Sequence, residues 1–146
     1  MTNPENRGII ESKRKEYKNL RIPMNENEFN KAKIVFEQNG GKMESSVELD
    51  KYLDLKGANA ITLNENLIIF RHGSPPTASE FYEELIHTYQ FKQGRVSTGM
   101  TVELEIEAKE KLIINQKKYG IPNHENEQTK KQLNDLKQAL TGERRD

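Results

Sequence analysis

The spacing of apolar residues changes twice along this chain, and those changes limit the folds that it can adopt. From residue 25 to residue 56 the apolar side chains recur every three or four positions, as on one face of a helix. Two short β-rich runs then flank Asn64-Glu65-Asn66, and helical spacing returns after residue 77. Helices, a hairpin and further helices predict an α+β protein that is mostly helical, with a small β-hairpin or sheet in its middle.

Turn and capping residues place the ends of the predicted elements. The first helices are predicted at 9–20, at 25–38 with Asn25 as N-cap, and at 45–56, and the strands at 58–63 and 67–70. Three helices follow, one capped by Thr77 or Ser79 and ending near residue 92, one at 101–119 and one at 125–140. We therefore expect a single domain over residues 9–140, between a flexible N-terminus at 1–8 and a polar tail at 141–146.

Composition narrows the classes of partner. The 146 residues are 33% hydrophobic and 32% charged, so we expect a small core. Lys+Arg and Asp+Glu both number 23, and a zero net charge argues against a nucleic-acid partner. The absence of cysteine excludes disulfides and thiolate metal ligands. No apolar run is long enough for a signal peptide or a membrane span, so no membrane partner is expected and the location stays open.

The segment Glu83-Glu84-Leu85-Ile86-His87 carries the strongest chemical signal. Positions four apart share a helix face, so Glu83 and His87 could hold one ion together. The segment has the form of the zinc motif H-E-x-x-H with glutamate in place of the first histidine, and Glu84 stands where a zinc peptidase keeps its general base. The alternative is an ordinary solvated polar face.

A helical projection divides this motif helix into two faces. Phe81, Tyr82, Leu85 and Tyr89 are predicted to face the core, and the strand just before the helix is expected at the sheet edge beside the cleft. Glu83, His87 and Gln90 are predicted on the opposite, polar face, with Glu84 on its flank. Gln90 is interpreted either as a residue that orients His87 or as an ordinary helix residue.

A catalytic zinc usually has three protein ligands, so a third is sought on the next helix. Its candidate carboxylates are Glu103, Glu105, Glu107 and Glu110. Glu107 is preferred because it borders a predicted packing seam of Leu104, Ala108 and Leu112. His72 is a candidate replacement ligand or oxyanion stabiliser, while His124 favours a surface or capping role. Two carboxylates and one imidazole suit Zn²⁺, Mn²⁺ or Fe²⁺, and a protein without metal is the alternative.

A wider set of residues resembles a known family. It comprises Gly40-Gly41, Tyr52-Leu53, Lys56-Gly57-Ala58, Asn66-Leu67-Ile68-Ile69-Phe70-Arg71, Glu83-Glu84-Leu85-Ile86-His87-Thr88-Tyr89-Gln90, Gly94, Glu105-Ile106-Glu107-Ala108, Leu112-Ile113, Tyr119-Gly120-Ile121-Pro122, Glu125 and Thr129. Across about residues 27–140 the chain resembles the zincin-like modules of bacterial polymorphic toxins and of some phage head-morphogenesis proteins. The resemblance implies a metallopeptidase-like fold, use as a toxin or effector, and a cognate immunity protein as partner. It also implies Glu84 and His87 as active-site residues, with Glu105 or Glu107 as the distant carboxylate.

Three functional hypotheses follow from the motif and the resemblance. The first is a toxin-type metallopeptidase that hydrolyses a peptide or protein substrate with Glu84 as general base. The second is a zincin-fold binding module without catalytic activity. The third is a toxin that uses Glu84 and His87 as acid and base without metal.

Overall fold

The computed structural model describes residues 21–144, with the side chains of residues 21–142, and this part of the chain has the predicted α+β fold. Its elements are α1 (Glu26–Gln38), β1 (Lys42–Glu44), α2 (Val47–Lys56), β2 (Ala60–Asn64), β3 (Leu67–Phe70), α3 (Ala78–Lys92), α4 (Val102–Ile114) and α5 (Asn123–Arg144). The predictions of a flexible segment at 1–8 and a helix at 9–20 lie outside the described residues. None of the described helices combines the length and apolar character that crossing a bilayer requires.

The sheet has three strands in the order β1–β3–β2. The predicted hairpin of β2 and β3 is confirmed as an antiparallel pair, with Ile61 opposite Ile69. Strand β1 was not predicted and pairs in parallel with β3, with Met43 opposite Ile68. A three-residue strand shows too little alternation to be recognised from sequence. Because β1 and β2 flank β3, the expectation that the strand just before the motif helix forms the edge is wrong, and β2 takes that position.

The motif helix α3 packs between the sheet and α4. Phe81 is fully buried with Ile68 and Phe70 on the sheet side, where the Phe70 and Phe81 rings stack at 5.8 Å. On the other side, Ile86 packs against Ala108 and Leu112 of α4. Burying one such large apolar side chain contributes about 1.5–3 kcal/mol, so both contacts hold α3 in place. The predicted seam of Leu104, Ala108 and Leu112 is confirmed as the buried face of α4.

The last two helices differ from prediction at their ends. Helix α4 ends at Ile114 instead of residue 119, because Asn115 caps it and its side-chain amide donates to the Lys111 carbonyl. The chain then turns and stacks the Tyr119 ring on Tyr82, with ring centroids 4.1 Å apart. Helix α5 begins at Asn123 and runs to Arg144, so residues 141–144 continue the helix where a polar tail was predicted.

Candidate metal centre

A capping box sets the start of α3 and with it the orientation of the motif residues. The Thr77 hydroxyl accepts from the Glu80 backbone N–H, and the Glu80 carboxylate accepts from the Thr77 N–H. This reciprocal pair satisfies two of the N–H groups that a helix start leaves open. Glu83 and His87 then lie one turn apart on the face that α4 covers.

Three side chains converge where α3 meets α4. Glu83, His87 and Glu105 each offer one ligand atom, and these atoms all lie within 4.8 Å of one another. Two of the three come from the predicted motif, and the third is Glu105 of α4. This group could hold a metal ion, because its carboxylate and imidazole donors are ligands of divalent transition metals.

The separation of His87 and Glu105 fits this use. His87 Nε2 lies 3.5 Å from Glu105 Oε1, which is longer than a charge-assisted hydrogen bond of about 2.7–2.9 Å. Two ligand atoms at about 2.0–2.2 Å from a tetrahedral ion lie about 3.3–3.6 Å apart. The two donors are therefore spaced as ligands of one ion are.

Gln90 determines which nitrogen of His87 is available. The Gln90 Nε2 amide donates to the Leu104 carbonyl at 3.0 Å, so its Oε1 faces His87 Nδ1 at 2.8 Å. An amide oxygen only accepts, and His87 must therefore carry its proton on Nδ1. His87 Nε2 is then the nitrogen that faces Glu105, and the contact of Gln90 with Nδ1 is compatible with the first of the two predicted interpretations, a residue that orients His87.

Glu84 lies in a different environment from Glu83. Burial, followed by the negative charge of Glu83, raises the pKa of the Glu84 carboxyl to about 8, although a hydrogen bond with Thr62 opposes the shift. The Thr62 hydroxyl lies 3.0 Å from Glu84 Oε1 and 2.9 Å from the Glu84 backbone oxygen. A hydroxyl has one proton to donate, so a protonated Glu84 can donate to Thr62 while Thr62 donates to the backbone oxygen.

Two charged groups on α4 adjust the electrostatics of the cluster. Burial raises the pKa of the Glu105 carboxyl, and His87 opposes this shift. The Lys109 ammonium, one turn further along α4, lies 2.5 Å from Glu83 Oε1, and both side chains are mostly buried. Lys109 was not predicted as part of the site. Its spacing of four residues from Glu105 was the signal that placed both on one helix face.

The cluster opens into a cleft of about 700 Å³. One wall is the edge strand β2, which contributes Thr62, and another is the connection between α3 and α4 at residues 96–100. Tyr52 and Lys56 of α2 lie at its far side. Glu83, Glu84, His87 and Glu105 all line this cleft, so the cluster is accessible to a ligand that enters it.

Two predicted ligands lie elsewhere. The preferred carboxylate Glu107 is held by Arg95, whose Nη1 donates to Glu107 Oε1 at 2.8 Å, and this ion pair lowers the pKa of Glu107 to about 2. Glu107 reaches the cluster only through Gln90, which donates to it at 3.4 Å. His72 is exposed and its backbone N–H donates to Asp50, so its imidazole is not part of the group.

The polarity of the motif helix also differs from prediction. His87 and Gln90 were expected to face away from the core, but they are 5% and 0% exposed, whereas Tyr89, expected inside, is 62% exposed. The reason is that α3 is covered on two sides, by the sheet and by α4. The polar stripe therefore lies against another helix, where each buried polar group needs a partner.

The half-buried His124 is not part of the cluster. Its Nε2 atom lies 3.8 Å from Glu125 Oε2.

The chain was compared with protein families, curated proteins and solved structures. No protein-family model matches the chain, and neither a curated protein nor a solved structure shows significant similarity to it.

Proposed function

We propose that this protein is a zincin-like, metal-dependent hydrolase of peptide bonds. The observation that carries the proposal is the convergence of Glu83, His87 and Glu105 within 4.8 Å, with Glu84 lining the same cleft. One histidine and two carboxylates form a harder donor set than the usual zinc ligands. We propose Zn²⁺ as the ion, with Mn²⁺ or Fe²⁺ as alternatives that this set would also suit.

Each residue has a defined task in this proposal. Glu83, His87 and Glu105 would hold the ion, which supplies Lewis acidity to polarise a carbonyl and to acidify water. Glu84 takes the proton from the attacking water and returns it to the leaving amine. To accept a proton Glu84 must be ionised, and a nearby cation favours its ionised form against the effect of burial. Thr62 positions the Glu84 carboxyl, and Gln90 keeps the proton of His87 on Nδ1.

We further propose an extended peptide as substrate. Among the described residues β2 pairs only with β3, so the other edge of β2 offers backbone groups to a ligand along the cleft wall. The toxin role and the cognate immunity protein are supported by the motif resemblance alone and are part of the same proposal. An immunity protein that covers the cleft would block the substrate.

Metal analysis paired with a cleavage assay tests the proposal. Protein purified without added metal is expected to contain a transition metal and to cleave members of a peptide library, and a chelator should stop the cleavage. Glu84→Gln should retain the metal and lose at least about 100-fold in rate, since a general base contributes about that much. Glu107→Gln, on the same helix as Glu105 but outside the group, is the matched control and should keep both properties. Absence of metal after reconstitution with Zn²⁺, Mn²⁺ and Fe²⁺ would contradict the proposal.

One observation favours a second candidate, acid–base chemistry without metal. The Lys109 ammonium already neutralises Glu83, and His87 lies in the same cleft as Glu84, whose pKa is raised to about 8. Such an enzyme would keep its activity in a chelator and lose it in both Glu84→Gln and His87→Ala. Peptide cleavage that persists after complete removal of metal would support this metal-free alternative over the metal-dependent hydrolase.

A further inference from the structure

We propose that Lys109 is an internal counter-cation that holds Glu83 in the metal-free protein and leaves it when a divalent cation binds. This inference rests on the metal site of the proposed function and adds the residue that sets its affinity. Lys109 would thus compete with the metal for one of its three ligands.

The contact between Lys109 and Glu83 differs from the other lysine ion pairs. Lys109 Nζ lies 2.5 Å from Glu83 Oε1, and the two side chains are 13% and 17% exposed. The side chains of Lys111 and Lys137, which pair with glutamates elsewhere, are 46% and 54% exposed. Exposed pairs contribute little, whereas a charge inside the protein needs its partner. The Lys109 ammonium therefore balances the charge of the mostly buried Glu83 carboxylate, whose Oε1 has no partner in hydrogen-bond geometry among the described residues.

The position of Lys109 on α4 places it beside the metal ligands. Glu105 and Lys109 are four residues apart, so α4 presents a carboxylate and an ammonium on one face toward α3. A divalent ion held by Glu83 and Glu105 would lie close to this ammonium, and like charges at such distances repel. The repulsion would act even if the ion used the Glu83 oxygen that Lys109 leaves open. Metal binding is therefore coupled to movement of Lys109.

A second cavity, which Glu83 and Lys109 both line, offers Lys109 a place to move. It has a volume of about 150 Å³, and Glu83, Lys109 and Glu125 line it. Glu125 Oε1 accepts from the N–H and the hydroxyl of Ser79, while the buried Glu125 Oε2 has no hydrogen-bond partner among the described residues. His124 Nε2 lies 3.8 Å from that oxygen, beyond hydrogen-bond distance. A carboxylate oxygen with spare acceptor capacity thus borders the cavity that Lys109 also lines.

Metal titration of chelator-stripped protein tests this inference. Lys109→Met keeps most of the aliphatic stem and removes the charge, so it is expected to bind Zn²⁺ or Mn²⁺ at least about tenfold tighter than the parent. Lys111→Met, on the same helix but paired with Glu107, is the matched control and should bind as the parent does. Equal or weaker binding by Lys109→Met would overturn the inference and leave the metal site standing. Absence of binding by parent and variant alike would overturn both.

Two further measurements test the inference by other routes. In wild-type protein with ¹⁵N-labelled lysine, the ammonium of Lys109 should give a protected NMR signal that shifts when metal is added. An unchanged signal at metal saturation would contradict the inference without relying on a variant that folds. Glu125→Gln should weaken metal binding in the parent but not in Lys109→Met, and equal effects in both would exclude Glu125 as the new partner of Lys109.

Discussion

The contact between α3 and α4 has an apolar part and a polar part, and the two parts are held by different interactions. In the apolar part, Ile86 packs against Ala108 and Leu112. In the polar part, His87 and Gln90 are as deeply buried but are held by hydrogen bonds and face Glu105. The same helix pair thus combines apolar packing that stabilises it with an adjacent polar cluster that could hold a metal ion. Substitutions in the two parts should therefore have separable effects.

The largest loss of stability is expected in the apolar part. Leu112→Ala removes a side chain that is 2% exposed and leaves a cavity between α4 and α3. Such truncations cost about 2–5 kcal/mol of unfolding free energy. Chemical denaturation measures this loss, and metal affinity of the folded fraction should stay at the parental value. A large loss of metal affinity under folding conditions would show that the two parts are not separable.

In the polar part, His87→Ala should abolish metal binding at a smaller cost in stability. The variant leaves the Gln90 Oε1 oxygen buried without its partner at Nδ1, which costs about 1–3 kcal/mol. His72→Ala, which changes an exposed imidazole, is the matched control and should alter neither property. Retention of metal by His87→Ala would remove His87 from the ligand set.

Glu84 should make the stability of the metal-free protein depend on pH. Its pKa is about 8 in the folded state against about 4.5 when exposed, so the folded state binds the extra proton between these values. The contribution of this proton to the free energy of unfolding should be fully present below about pH 4.5. It should be lost as pH rises through 8, by at most about 1.4 kcal/mol per pH unit for one proton. Glu105 acts in the same direction, because its pKa is also raised.

Urea denaturation in a chelator between pH 5.5 and 8.5 checks this dependence. Glu84→Gln should reduce the slope. Glu107 makes no contribution in this window, since its lowered pKa of about 2 affects stability only in acid. A slope in Glu84→Gln as steep as in the parent would mean that Glu84 is ionised in the folded protein at neutral pH.

The smallest effect is expected from Glu107→Gln, at the exposed margin of the polar part. Its ion pair with Arg95 is accessible to solvent, with side chains 26% and 42% exposed, and such pairs contribute about 0.2–1 kcal/mol. Metal affinity should be unchanged, because Glu107 touches the cluster only through Gln90. A marked loss of metal would show that this contact through Gln90 matters for the orientation of His87.

Within the described residues, the sequence alone predicted the five helices and the β-hairpin in their order, but not strand β1. The hairpin, the Asn25 cap and the buried seam of α4 are as expected, and α3 is capped by Thr77, one of the two predicted candidates. These features depend on neighbours within a few positions, where spacing and capping chemistry act directly. The motif residues Glu83, Glu84 and His87 could be selected for the same reason, because their spacing on one helix is a local property.

Contacts between distant segments determine which side chains lie next to the motif residues. Glu105 and Glu107 differ by about 200° around α4, and nothing local to that helix says which side turns toward His87. Packing of Ala108 and Leu112 against Ile86 sets this rotation, which brings Glu105 and Lys109 to the cluster and leaves Glu107 to Arg95. The burial of His87 and Gln90, the addition of β1 and the edge position of β2 arise in the same way. Each depends on contacts between segments far apart in the chain, whose geometry no single segment encodes.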